Sequence, residues 1–284
     1  MADSVVGAAA DPSGGPLGIV AGSGVLPRRL IETSRAKGRD VFVLALTGHA
    51  EPELVEGVAH RWCRIGAAAT GLQTLREHGV RELVLAGAIR RPTLISIRPD
   101  WRAAKFFAKV GYRLLGDDGL LSAIVKELEL EGFRLVGAHQ VLGETDLVEG
   151  PLGKFVPDAE AMADIERGLS IARALGSLDI GQAVVVQQGL VLGVEAIEGT
   201  DELVRRCAGL RREGTGGVLV KTEKPGQERR ADRPTLGPRT IANAAEAGLQ
   251  GIAAEAGVTL LIDRDELIRA ADEAEIFVVG IRRS

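Results

Sequence analysis

Eight of the seventeen residues from Lys221 to Gly237, KTEKPGQERRADRPTLG, are charged, and both signs are present. Lysines and arginines in such a loop can hold phosphate oxygens, the arginine fork in two-point fashion. Carboxylates such as Asp232 can hold a hard cation or orient water. A solvated surface loop has the same composition, so the loop alone does not decide. Four other places carry comparable chemistry. GIVAGSGVLP (Gly18 to Pro27) runs a strand into Gly22, Ser23 and Gly24 and then into a helix, which can present free N–H groups to an anion. AGAIRRP puts Arg90 and Arg91 just beyond another strand. GDDGLL offers Asp117 and Asp118, either as caps of the following helix or as paired ligands of magnesium. GAHQVLGE places His139 after a strand, as a structural histidine or a base. LDIGQ and EGTDE add Asp179, Gln182, Thr200 and Asp201, which suit turns and caps equally well.

The elements that must position these residues fall into two halves. From Leu17 to about Ala138, apolar runs alternate with helical spacing: LGIVAG, PRRLIETSRAKG, VFVLALTG, TGLQTLREHG, ELVLAG, then helical segments around Trp101 and Leu120. Such alternation predicts a Rossmann-like α/β domain with a parallel sheet, whose ligands sit beyond the carboxyl ends of the strands. Residues 143–158 are rich in glycine and proline and lack periodicity, which predicts a linker. Residues 159–284 read as a second α/β domain, with a strand pair turning at Gln188–Gly189 and the charged loop after the strand GGVLVK. Residues 1–15 read as a flexible leader outside the 16–142 domain.

Composition removes several classes. Aromatics make up 3% of the 284 residues and the formal net charge is −4, which gives neither stacking platforms nor a basic field for nucleic acid. Cys63 and Cys207 stand far apart without metal-binding spacing, in keeping with a reducing cytoplasm. No apolar run is long enough to span a membrane. The glycine loop lacks the third glycine of a dinucleotide fingerprint, and Thr47-Gly48-His49 stands where its acid belongs, so an NAD-dependent oxidoreductase is disfavoured. A nucleotide-sugar-binding regulator without catalysis stays open on these residues.

Six stretches in order, GIVAGSGVLP, AGAIRRP, GDDGLL, EGFRLVGAHQVLGE, LDIGQAVVVQQGLVLGVEAIEGTDELVRR and VLVKTEKPGQERRADRPTLGPRTI, closely resemble the UDP-2,3-diacylglucosamine pyrophosphatases of the LpxI type. The likeness runs from Leu17 to near the end of the chain. It implies a magnesium-dependent, cytoplasmic enzyme of lipid A biosynthesis that splits UDP-2,3-diacylglucosamine into UMP and 2,3-diacylglucosamine 1-phosphate, with water attacking the β-phosphorus. It also implies a ligand held between two domains, a homodimer, and peripheral contact with the inner membrane. The family's essential aspartate falls on Asp232 within KPGQERRADRP. The resulting expectations are a catalytic Asp232, substrate or phosphate contacts from Gly22, Ser23, Gly24, Arg90, Arg91, Thr200, Lys221, Lys224, Gln227 and Arg230, and magnesium at Asp117, Asp118 and Asp232.

Overall fold

The computed structural model describes residues 15–89, 99–110, 117–143 and 146–282. The chain divides into two compact units, Met1–Tyr112 with Ala123–Leu142 and Arg113–Ser122 with Gly143–Ser284.

In the first unit, strands β1 (Leu17–Ala21), β2 (Val41–Leu46), β3 (Ala59–Cys63), β4 (Glu82–Ala86) and β5 (Arg134–Leu135) form one parallel sheet in the order β3-β2-β1-β4-β5. Side chains alternate between its faces. Leu17, Ile19 and Ala21 of β1, Val43 and Ala45 of β2, and Val84 and Ala86 of β4 bury one face. Helix α1 (Val25–Ala36) covers that face with Leu30 and Ile31, and its buried positions Pro27, Leu30, Ile31 and Ser34 show the i, i+3, i+4, i+7 spacing read from the sequence. Also in this unit are α2 (Ala68–Glu77), α3 (Trp101–Val110), most of α4 (Asp117–Leu130) and the short α5 (Ala138–Leu142). The first residues of α4 belong to the second unit.

The second unit is built on a six-stranded sheet in the order β6-β13-β11-β9-β7-β8. Its centre, β9 (Val218–Lys221), β11 (Gly251–Glu255) and β13 (Phe277–Ile281), is parallel, whereas β6 (Gly150–Leu152) and β7 (Ala183–Gln187) run against their neighbours. β7 and β8 (Leu190–Val194) form a hairpin through Gln188 and Gly189, both at positive φ (52° and 73°), which matches the right-handed twist of the strands. Leu219, Ile252 and Val278 face a core shared with α7 (Thr200–Ala208), α8 (Pro238–Glu246) and α9 (Arg264–Glu273); Val218, Val220 and Val279 face α6 (Ala159–Ser177). Gly168 brings α6 onto the sheet, since a Cβ there would stand 2.5 Å from a Val220 methyl. A two-stranded ladder, β10 (Thr235–Leu236) with β12 (Leu260–Leu261), ties down the far end of the charged loop.

Residues 143–158 are not the linker their composition predicts. Asp146 bridges to Leu260, Leu147 and Leu152 are buried in the core of the second unit, and β6 pairs with β13. Pro151 misleads here, because β6 is an edge strand, where proline forfeits no ladder bond. Among the described residues no helix is long and apolar enough to cross a membrane.

Candidate active site

Strand β9 ends at Lys221, and the chain leaves the sheet as a buried turn. Thr222, Glu223 and Lys224 are all nearly inaccessible although polar or charged. The Thr222 hydroxyl has no partner among the described residues, whereas the buried charges require them, and each of those partners is a recognisable brace. The Glu223 backbone N–H donates to Glu255 Oε2 (2.9 Å) at the end of β11, and Arg173 of α6 donates to the other oxygen of Glu255 (3.1 Å). The Glu223 carboxylate receives both Nε (2.6 Å) and Nη2 (2.8 Å) of Arg229. Gly176 lets α6 lie against the turn, because a Cβ there would meet the Lys224 backbone at 3.4 Å.

The braced turn delivers Lys224 between two carboxylates. Its Nζ lies 2.9 Å from Asp118 Oδ1 in the first turn of α4 and 2.9 Å from Asp179 Oδ1 after α6. Asp179 sits at φ 53°, a left-handed conformation that aspartate tolerates better than most residues. Burial works against the Lys224 charge, but the bonds to Asp179 and Asp118 outweigh it and hold the ammonium above its ordinary range. Burial pushes the Asp118 carboxyl up, Lys224 pulls it partly back, and the charges of Asp179 and Asp232 raise it further. Asp118, Asp179 and Asp232 therefore share one electrostatic neighbourhood.

Gln227 joins Asp232 to this group. Its Nε2 donates to Asp232 Oδ2 (2.6 Å) and more weakly to Gln182 Oε1 (3.4 Å), while its Oε1 accepts from the Lys224 backbone N–H (3.0 Å). Gln182 is itself fixed by Glu195, whose Oε2 accepts from the Gln182 N–H (2.9 Å). The structure thus gathers Asp118, Asp179, Gln182, Lys224, Gln227 and Asp232, all in the second unit.

Other expected contacts lie elsewhere. Lys221 is buried and donates to Thr235 O (3.2 Å). Thr200 donates to Glu195 Oε1 (2.8 Å) at the start of α7. Arg230 pairs with Glu228 (2.9 Å) and Arg233 with Asp146 (2.7 Å). In the first unit, Gly22, Ser23 and Gly24 spend their polar groups on protein. Gly22 and Ser23 donate to Ala86 O (2.8 Å) and Ala88 O (3.0 Å), and the Gly24 N–H donates to the Glu51 carboxylate (3.2 Å). A Cβ on Gly22 would stand 2.5 Å from Ala88 O, so close packing explains that glycine. Arg90, Arg91 and the Asp117 side chain lie outside the described residues. Asp179 and Gln182 stood in the sequence between a site and a turn-or-cap reading, and Glu195 and Glu255 carried none; a charged residue in an otherwise apolar strand, as in GIAAEA, is the signal that could have found Glu255.

Among the described residues no group of three or more His, Cys, Asp or Glu side chains is gathered closely enough to hold a metal by itself. The donor chemistry nevertheless fits magnesium, which takes hard oxygen ligands, needs only one or two carboxylates, and fills its remaining positions with water and substrate phosphate. Among the described residues Asp118 and Asp179 share the Lys224 ammonium and Asp232 acts on Asp118 from nearby, which leaves negative charge that such a cation would offset.

The family model for the LpxI N-terminal domain matches residues 16–145, and that for the LpxI C-terminal domain matches residues 148–279. The UDP-2,3-diacylglucosamine pyrophosphatase LpxI of Caulobacter vibrioides is 44% identical over 272 residues, covering 93% of this chain and 97% of the relative. With both domains matched in order and a relative aligned over nearly its whole length, the chain belongs to the LpxI family.

Proposed function

We propose that the protein hydrolyses the pyrophosphate of UDP-2,3-diacylglucosamine, releasing UMP and 2,3-diacylglucosamine 1-phosphate, a step of lipid A biosynthesis. The observation that carries this reading is the near full-length identity to the Caulobacter enzyme, supported by the carboxylate and lysine cluster around Asp232. Water adds to the β-phosphorus, the bond from that phosphorus to the bridging oxygen breaks, and the bridging oxygen leaves with UMP.

The chain's own residues supply three parts of this reaction. Asp232 faces the attacking water or a cation, with its carboxylate oriented by Gln227. Lys224 holds the Asp118 and Asp179 carboxylates in place. The braces from Glu255 and Glu195 hold the turn rigid, so the carboxylates do not reorganise as charge develops. Asp118 and Asp232 would hold magnesium, which, when bound, neutralises non-bridging oxygens. Arg90 and Arg91 complete the reading as phosphate contacts. The enzyme works as a homodimer in the cytoplasm, peripheral to the inner membrane.

The test is incubation with UDP-2,3-diacylglucosamine, with and without magnesium, in ¹⁸O-labelled water, followed by mass analysis. UMP should appear only with magnesium, and the label should reside in the lipid phosphate. Absence of UMP with magnesium present overturns the reading; label in UMP overturns the β-phosphorus assignment alone.

A further inference from the structure

The sheet of the first unit is unequally covered. The face presenting Leu17, Ile19, Val43 and Val84 is buried with α1 in one core. On the opposite face Leu44, Val20 and Leu85 stand side by side in register on β2, β1 and β4. Val20 and Leu85 are each the one incompletely buried position of their strands. Above them lies a hollow of about 420 Å³ rather than a packed core, walled by Leu72 of α2, Phe106 of α3 and Leu128 of α4. A close-packed interior does not leave such a space unfilled by chance. The hollow also sits at the ends of β1 and β4, where the strand order reverses and open α/β sheets place their ligands.

The chemistry of the walls specifies the occupant. Aliphatic and aromatic side chains dominate the lining; its charged members are Arg64, Lys105, Arg102 paired with Glu131 (2.6 Å) and Lys109 paired with Glu127 (3.4 Å). A nucleotide or sugar would need polar partners inside. A hydrocarbon needs none, and an apolar hole of roughly 150 Å³ already holds one benzene ring. This hollow is nearly three times larger, which accommodates a chain of roughly a dozen or more carbons. We infer that the hollow on the Val20–Leu44–Leu85 face takes one acyl chain of the lipid substrate. This inference rests on the activity proposed above, and it makes the first unit the part that measures chain length.

Two filling variants, Leu85→Phe and Leu72→Trp, test it, each checked for an unchanged or raised melting temperature. Each buried methylene is worth roughly fourfold in affinity, so losing room for two should raise KM tenfold or more for long-chain UDP-2,3-diacylglucosamine. Hydrolysis of the diacetyl analogue should change less than twofold. Binding is read independently of turnover through Trp101, which borders the hollow. In a Trp62→Phe background, dibromostearate should quench Trp101 saturably, and the filling variants should abolish the quenching. Equal effects on long-chain and diacetyl substrates, or undiminished quenching in a folded filling variant, would overturn the acyl site. Saturable quenching in a protein that releases no UMP would instead leave the acyl site standing and remove the proposed reaction.

Discussion

Lys224→Met removes the cation that Asp118 and Asp179 share, and its consequences can be worked from the geometry. Two ion pairs are lost, each with N–O distances of 2.9 Å. At an effective dielectric constant near 20, charges about 4 Å apart attract by roughly 4 kcal/mol. Relief from desolvating the lysine offsets much of that sum, and truncating one partner of a buried pair ordinarily costs about 3–5 kcal/mol. The loss should depend on pH with a defined sign. Asp118 is already held above the ordinary carboxylate range. Stability linked to a raised carboxyl is present at low pH and is lost as pH rises through the folded value. Lys224 pulls that value down, so its removal drives Asp118 higher. The raised Lys224 ammonium makes its own contribution below its unfolded value and loses it only as pH climbs through the folded one, in the alkaline range. The variant should therefore be most destabilised from neutral pH upward to the lysine's own titration and should approach the parent in acid. Urea unfolding of both proteins from mildly acidic to neutral pH, with chelator present, measures this. Lys224→Met combined with Asp118→Asn should regain part of the loss at neutral pH. A pH-independent deficit, or a double variant no better than the single one, would refute the assignment of Lys224 as the counter-charge of this cluster.

Asp232→Ala should lower turnover about 10²- to 10⁴-fold and leave unfolding within about 1 kcal/mol, because Asp232 is only half-buried; steady-state kinetics and a melting curve on one preparation check both. Gln227→Leu deprives Asp232 of its donor and the Lys224 N–H of its acceptor, so kcat should fall about 10- to 100-fold, as for lost supporting residues, with KM little changed. Gln227→Glu should be worse than Gln227→Leu, since it sets a further carboxylate against Asp232. Arg90→Ala with Arg91→Ala should raise KM, at roughly 1–3 kcal/mol per lost phosphate bond, and leave the melting temperature in place; normal kinetics would reduce the pair to a surface turn.

Much of the fold was legible because its signals are local. The spacing of Pro27, Leu30, Ile31 and Ser34 specifies one face of a helix, and Gln188–Gly189 between two valine-rich runs specifies a hairpin. The linker reading of residues 143–158 failed for a physical reason: an edge strand of three residues needs few apolar positions and tolerates Pro151, so nothing local distinguishes it from a loop. The exposed edge strand β3, AHRWC, escapes notice similarly, since only its last residue is buried.

The site was legible in its residues and not in its pairings. Asp118, Lys224, Gln227 and Asp232 all stand out by type, but which charge meets which is decided by tertiary structure. Lys224 finds Asp179 across 45 residues of chain, while Arg230, two residues from Asp232, turns to Glu228. The same sorting accounts for the density of charge in the loop. Arg229, Arg230 and Arg233 are committed to Glu223, Glu228 and Asp146; a loop held by paired charges can be rigid without an apolar core of its own, at the cost of having fewer cations to offer a phosphate. Among the described residues of this cluster the balance is negative: Asp118 and Asp179 share Lys224, and Asp232 acts on Asp118 from nearby. A pyrophosphate brought to such a group would be repelled unless a further cation came with it. The magnesium proposed above would supply that cation, and the need for it should weaken if a substitution such as Asp118→Asn lowered the charge of the group.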